Sequence, residues 1–174
     1  MTVTQAQIDA VKKAGFENVE LIADACNRTG CRFYLAVSMI EKESKGKNVW
    51  GHDAGGTFSG LADRITESSW RAFRHEVLVR GKQSNGVGPA QLTFKGFFTD
   101  MEKQGLNPAD PKDNIFYGVR LIYSYYRDYR NLGASVETAV KEAGTKYNGA
   151  SAYGDSLWTI ATKWRGILGS ADYA

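Results

Sequence analysis

Proline, cysteine and histidine are all scarce in this sequence of 174 residues. Three prolines argue against disordered or proline-rich linkers. The two cysteines, Cys26 and Cys31, are too few for a disulfide scaffold. The short turn between them allows a small disulfide or two buried thiols, and the thiols are favoured. Because His52 and His75 lie far apart, no zinc-ligand spacing is present. We therefore expect neither a metal site nor a cofactor.

Net charge and long apolar runs are also limited. The 22 Lys and Arg residues outnumber the 19 Asp and Glu residues only slightly, and no basic run typical of nucleic-acid binders is present. This mild positive charge suits a protein that acts on an anionic polymer or surface. The longest apolar run, Phe33–Val37, is too short to span a membrane, and the first residues lack the pattern of a signal peptide. The sequence therefore predicts neither nucleic-acid binding nor stable membrane insertion.

Apolar residues recur at helical spacing over most of the chain, and the length is that of one domain, residues 1–174. Thr4 and Gln7 have the spacing of a capping box, and the pair Asp110-Pro111 is typical of a helix start. The fold class predicted is mostly α. The helices are expected over residues 4–15, 16–28, 31–44 and 67–80, then from Thr93, from Asp110, from Ser135 and around Leu157.

The third of these helices carries almost no polar side chain before its last turn. A helix that is apolar on every side is buried on every side. Glu43 therefore emerges beside an apolar core, where desolvation should raise the pKa of its carboxyl group. A carboxyl group that stays protonated near neutral pH can act as a general acid. Glu41, two residues earlier, should point to another side of the helix.

Glycine is the one residue in excess, with 19 in the chain against a typical fraction of roughly 7%. Eight of them fall within residues 46–88, which predicts a loop or small hairpin region where the backbone turns sharply or approaches a ligand. The aromatic residues in and beside this segment either stack on sugar rings or form a satellite core, and Trp50 is the favoured sugar contact. The others are Phe58, Trp70 and Phe73.

Four short motifs follow one another along the chain. They are Glu43-Ser44 at a helix end, the turn from Gly88 to Gln91, Asn114-Ile115 with Gly118 on a helix, and Tyr147-Asn148. This order resembles the goose-type lysozyme and soluble lytic transglycosylase superfamily over roughly residues 31–150. The resemblance implies a lysozyme-like fold, mostly α, with the glycine-rich segment beside a sugar-binding cleft.

The resemblance also implies roles for single residues. Glu43 matches the glutamate that protonates the β-1,4 glycosidic oxygen between N-acetylmuramic acid and N-acetylglucosamine. The positions that match substrate-binding residues of the cleft are Gln91, Tyr147 and Asn148. The segment Trp50-Gly51-His52-Asp53 is similar to the Trp-Gly-Asp of goose-type lysozymes with one residue inserted. Asp53 would then position the attacking water.

The sequence departs from the superfamily at several points. About thirty extra residues, at positions 54–84, precede the glutamine turn. Pro89-Ala90 replaces the usual Leu-Met, and Lys146 replaces the usual alanine. Thr93 stands where goose-type lysozymes have an aspartate, which removes half of the water-positioning pair. Hydrolysis and lytic transglycosylation both remain open, and Asp53 favours hydrolysis.

The resemblance, the charge and the lack of a signal peptide together indicate a phage endolysin, or the catalytic module of a longer lysin. It would be a monomeric muramidase that accumulates in the host cytoplasm and acts on the glycan strands of the bacterial cell wall. Two alternatives remain. One is a non-catalytic lysozyme-like module that binds peptidoglycan in a tail or secretion apparatus. The other is a chitinase-like glycosidase.

Overall fold

The computed structural model describes residues 2–58 and 64–169, and within them the protein is mostly helical, as predicted. Residues 59–63, part of the predicted insertion at 54–84, lie outside the described residues. The helices are α1 (Gln5–Lys13), α2 (Val19–Thr29), α3 (Phe33–Glu43), α4 (Glu67–Arg74), α5 (Lys95–Lys103), α6 (Pro111–Asn131), α7 (Val136–Asn148) and α8 (Ser151–Leu168). A π-helix, His75–Val79, continues α4.

Several helices begin at side chains that cap them. Thr4 and Gln7 make the predicted capping box at α1. The side chain of Asp110 accepts a hydrogen bond from the Lys112 amide at 2.8 Å, and Pro111 occupies the first position of α6. Ser135 caps α7 through the Thr138 amide. The longest of the described helices, α6, packs against α2 and α7.

Helix α3 is the centre of the core. All residues from Phe33 to Ile40 are buried, which confirms the prediction of a helix enclosed on every side. The helix contacts α2, α6 and α8. Its two final glutamates diverge, since Glu41 accepts hydrogen bonds from Lys163 at 3.0 Å and from Trp164 on α8. The core therefore ends at the residue that was predicted to act as the acid, Glu43.

Outside α4 and the π-helix, the described part of the glycine-rich segment consists of loops, and no strand occurs among the residues that the structure describes. Three isolated bridges tie these loops together instead of a hairpin, joining Val49 to Arg64, Trp50 to Val87 and Val87 to Leu92. Among the described glycines of this segment, Gly46, Gly55, Gly81 and Gly88 have positive φ.

An aromatic cluster fills the space beneath these loops. The ring of Trp50 lies 5.0 Å from Phe58 and 4.8 Å from Phe73, and Trp50 is only 2% exposed. Trp70 and Phe98 extend the cluster into the main core. The prediction that Trp50 stacks on a sugar ring is therefore wrong, because no face of its indole is open. These aromatic residues instead form a satellite core, which was the other predicted possibility.

Cys26 and Cys31 are buried free thiols. Burial raises the pKa of the Cys26 thiol well above its ordinary value, and the adjacent thiol of Cys31 adds to the shift. No helix in the described ranges is both long enough and apolar enough to cross a membrane.

Candidate active site

One turn, residues 87–92, which we call the Gln91 turn, forms the floor of the candidate site. Val87 and Leu92 exchange two backbone hydrogen bonds of 3.0 and 3.1 Å across its base. Gly88 and Gln91 both have positive φ, at 72° and 47°. A non-glycine residue in that region is uncommon, so the surroundings must hold Gln91 in place.

Side chains at the start or end of three helices clamp this turn. Ser44, just after α3, donates to the carbonyl of Pro89 at 2.8 Å, and Tyr147 on α7 donates to the carbonyl of Ala90 at 2.6 Å. Asn114 on α6 accepts from the Ala90 amide at 2.9 Å and donates to the carbonyl of Val87 at 2.9 Å. Polar groups of the turn that would otherwise be buried unpaired are thereby satisfied.

The clamp requires a glycine at position 118, one helical turn beyond Asn114. A Cβ atom at Gly118 would lie 2.4 Å from the Cβ of Ala90, inside van der Waals contact. The absence of a side chain therefore lets α6 approach the turn closely. All four sequence motifs meet here, since residues from each either belong to the Gln91 turn or hold it.

Gln91 is fixed by its own side chain as well. Its amide nitrogen donates to the carbonyls of Val49 at 3.1 Å and Gly88 at 2.9 Å. Its carbonyl oxygen lies against Gly51 and Gly86, where an added Cβ would come within 2.5 and 2.4 Å. Both donors of the amide are therefore used inside the protein, and Gln91 can offer a ligand only its acceptor.

A cleft of about 770 Å³ opens over the turn. It brings together five of the six predicted site residues, namely Glu43, Asp53, Gln91, Tyr147 and Asn148. Trp50 is the exception, because it lies in the aromatic cluster below. The cleft is also lined by Gln83, Ser84, Thr93, Lys95 and the exposed His52.

Glu43 lines the cleft at the end of α3. Partial burial at the end of α3 raises the pKa of its carboxyl group to about 7. The hydroxyl of Tyr153 donates a hydrogen bond to Oε1, and the nearby charge of Lys42 also favours the ionised form, so both oppose the shift. The negative charge of Asp53 adds to it. Glu43 is therefore partly protonated at neutral pH.

Asp53 lines the same cleft and is held by the backbone just before the Gln91 turn. Its Oδ2 accepts a hydrogen bond from the backbone amide of Gly86 at 2.5 Å. Among the described residues that line the cleft, Glu43 and Asp53 are the two with carboxylates. Thr93 lines the same cleft.

Two further aromatic residues, Phe94 and Phe97, line the cleft, which was not predicted from the sequence. Phe94 is 66% exposed, and its ring meets that of Phe97 edge to face at 5.2 Å. Their spacing with Phe98 and Met101 predicts an apolar helix face, but α5 begins only at Lys95, so Phe94 precedes the helix. The sequence feature that could have indicated its location in the cleft is its position three residues after Gln91.

No group of three or more His, Cys, Asp or Glu side chains that could hold a metal ion occurs within residues 2–58 and 64–169. No protein-family model matches the chain, and no curated protein and no solved structure matches it. The chemistry of the site therefore has to be argued from its own side chains.

The raised pKa of Glu43 predicts a pH-dependent stability. The folded state holds the proton up to about pH 7, whereas the unfolded chain releases it near pH 4.5, so stability falls as the pH rises through this window. Glu43→Gln cannot ionise. We expect it to be more stable than the parent chain by about 2–3 kcal/mol at pH 8, with the difference vanishing near pH 4.

Urea unfolding at a series of pH values measures this difference. The matched control is Glu142→Gln on the exposed side of α7, which should follow the parent chain throughout. A stability difference between Glu43→Gln and the parent chain that stays constant from pH 4 to pH 8 would show that the carboxyl group has an ordinary pKa.

Proposed function

We propose that this protein is a lysozyme-like glycosidase that cleaves the β-1,4 bond between N-acetylmuramic acid and N-acetylglucosamine in peptidoglycan. The observation that carries the proposal is a carboxyl group with a pKa of about 7, Glu43, at the end of a buried helix and inside a cleft of about 770 Å³. Leaving-group protonation is the step that glycoside cleavage requires from a neutral carboxylic acid.

The hydrogen bond from Tyr153 defines which oxygen of Glu43 acts. Because the phenol donates to Oε1, the acidic proton belongs on Oε2. Transfer of that proton to the glycosidic oxygen breaks the bond from this oxygen to the anomeric carbon and leaves Glu43 as a carboxylate. Tyr153 and Lys42 then stabilise the new charge, since both favour the ionised form.

Asp53 supports hydrolysis over transglycosylation. In the proposed reaction it accepts a proton from a water molecule, which attacks the anomeric carbon and leaves a reducing end. Without such a base, the 6-hydroxyl of the muramic acid would attack the same carbon, give its proton to the Glu43 carboxylate and leave an anhydro end. The anchoring of Asp53 by the Gly86 amide supports the first route.

The cleft also suits a sugar chain. Phe94 and Phe97 offer apolar ring surface, and Asn148 offers an exposed amide at the end of α7. Gln91 contributes an acceptor. Aromatic surface combined with a few placed polar groups is the usual composition of a small-molecule cleft.

The same observations favour a lysozyme-like fold and the role of a phage lysin. The motifs that resemble the goose-type lysozyme and lytic transglycosylase superfamily meet at the Gln91 turn, where each has a separate structural task. A mildly basic chain suits an enzyme that acts on the anionic cell wall after the host membrane is breached.

Glu43→Gln tests the catalytic assignment. Glutamine keeps the size of the side chain and an acceptor for Tyr153 but has no acidic proton, so we expect peptidoglycan turnover to fall by about 10³-fold or more. Dye release from purified cell walls measures this activity, and chitin serves as the alternative substrate. Glu142→Gln is the control. Undiminished turnover by Glu43→Gln, or chitin as the better substrate, would contradict the proposal.

Asp53→Asn tests the hydrolytic route. Asparagine can no longer take a proton from water, so we expect the total rate to fall by about 10²–10⁴-fold while leaving-group protonation is retained. Mass spectrometry of the muropeptides identifies the products. We expect reducing ends from the parent chain. Anhydro ends from the parent chain, or unchanged reducing ends from Asp53→Asn, would exclude the proposed role of Asp53.

A further inference from the structure

A second cavity, of about 260 Å³, lies between α2 and α6 and shares no lining residue with the cleft. Three of its lining residues are arginines, namely Arg28 from α2 and Arg120 and Arg127 from α6. We call it the arginine groove. Three guanidinium groups around one cavity are a concentration of charge in a chain whose net charge is only +3.

The groove follows from a regular pattern on α6. Phe116, Arg120, Tyr123 and Arg127 are spaced by four, three and four residues, so they share one face of the helix. Aromatic and basic side chains therefore alternate along it. Helix α2 packs beside this face and adds Arg28.

The aromatic rings hold the guanidinium groups. Arg28 lies 3.9 Å from the centre of the Phe116 ring, and Arg120 lies 5.6 Å from the same ring. Arg127 lies 5.8 Å from the ring of Tyr123. Arg28 alone is close enough to stack on a ring of the groove, whereas Arg120 lies nearer to Tyr117, at 5.0 Å. A guanidinium that stacks on a ring keeps the N–H groups at the edge of its plane available to bind an oxyanion with two hydrogen bonds.

Carboxylates compensate these charges only in part. Asp24 contacts Arg28 at 3.4 Å on the surface of α2. Arg120 donates a hydrogen bond to the side chain of Gln104 at 2.8 Å. The positive charge of Arg120 also interacts with the carboxylate of Asp100. Arg127 forms no ion pair with a carboxylate of the described residues. The groove therefore keeps an excess of positive charge.

We propose that the arginine groove binds a linear polyanion through its phosphate or phosphodiester groups. Arg120 and Arg127 are seven residues apart, which is about 10 Å along the helix axis. A single phosphate ion is too small to engage both, whereas successive anions of one chain can do so. A groove can enclose a linear chain, whereas the head groups of a membrane are contacted by a flat basic surface. The groove therefore favours a linear polyanion as the ligand.

The rings argue against single-stranded nucleic acid as the ligand. Proteins that bind such strands leave aromatic faces open for the bases. Here a guanidinium already covers a face of Phe116, so the groove contacts backbone charge rather than bases. This proposal is independent of the cleft, and its failure would leave the assignment of Glu43 unaffected.

Titration of the full chain with linear polyphosphate tests the proposal. Inorganic phosphate, single-stranded DNA and anionic phosphatidylglycerol vesicles are titrated in parallel, each at several salt concentrations. We expect polyphosphate to bind most tightly, with an affinity that falls as salt rises. The test variant is Arg28→Gln with Arg127→Gln. It leaves Arg120 in place because that residue also holds Gln104.

The matched control is Arg71→Gln with Arg80→Gln, which removes the same charge from two arginines that each pair with a glutamate four residues away. We expect the groove variant to lose about tenfold in polyphosphate affinity and the salt slope to fall by about 1.5, while the control changes less than twofold. Equal losses in both variants would overturn the proposal. So would inorganic phosphate, DNA or vesicles binding more tightly than polyphosphate.

Discussion

The Gln91 turn is the constraint on which the candidate site depends. Its backbone takes a conformation with positive φ at Gly88 and Gln91, and side chains from three helices hold it there. Asn114 makes two of these hydrogen bonds, because its buried amide satisfies both an amide and a carbonyl of the turn. Each group left unpaired would cost about 1–3 kcal/mol. The sequence motifs are therefore connected through one structural element.

The electrostatics of Glu43 follow from its place next to this element. The apolar helix α3 ends where Ser44 bonds to the turn, so the last side chain of the helix is directed to the cleft without leaving the core entirely. Desolvation outweighs the stabilising contacts with Tyr153 and Lys42, and the pKa rises to about 7. Glu41, on the same helix, instead satisfies its charge with Lys163 and Trp164.

The helices and the place of Glu43 at the edge of the core were predictable because their signals are local. The unbroken apolar stretch of α3 requires burial on all sides, and its first charged residues mark its emergence. The role of Trp50 was not predictable, because a tryptophan among glycines can face a ligand or a core, and only the positions of Phe58 and Phe73 decide. The helix predicted from Thr93 begins only at Lys95, so Phe94 precedes it and is exposed at the cleft.

The central claim is that burial holds the Glu43 carboxyl group partly protonated at neutral pH. Carbon-13 NMR of the protein labelled at its glutamate side chains measures this directly, with Glu43→Gln identifying the resonance. The account predicts a titration midpoint near pH 7 for Glu43. A midpoint near the ordinary glutamate pKa of about 4.3 would contradict it and remove the basis for general-acid catalysis in the cleft.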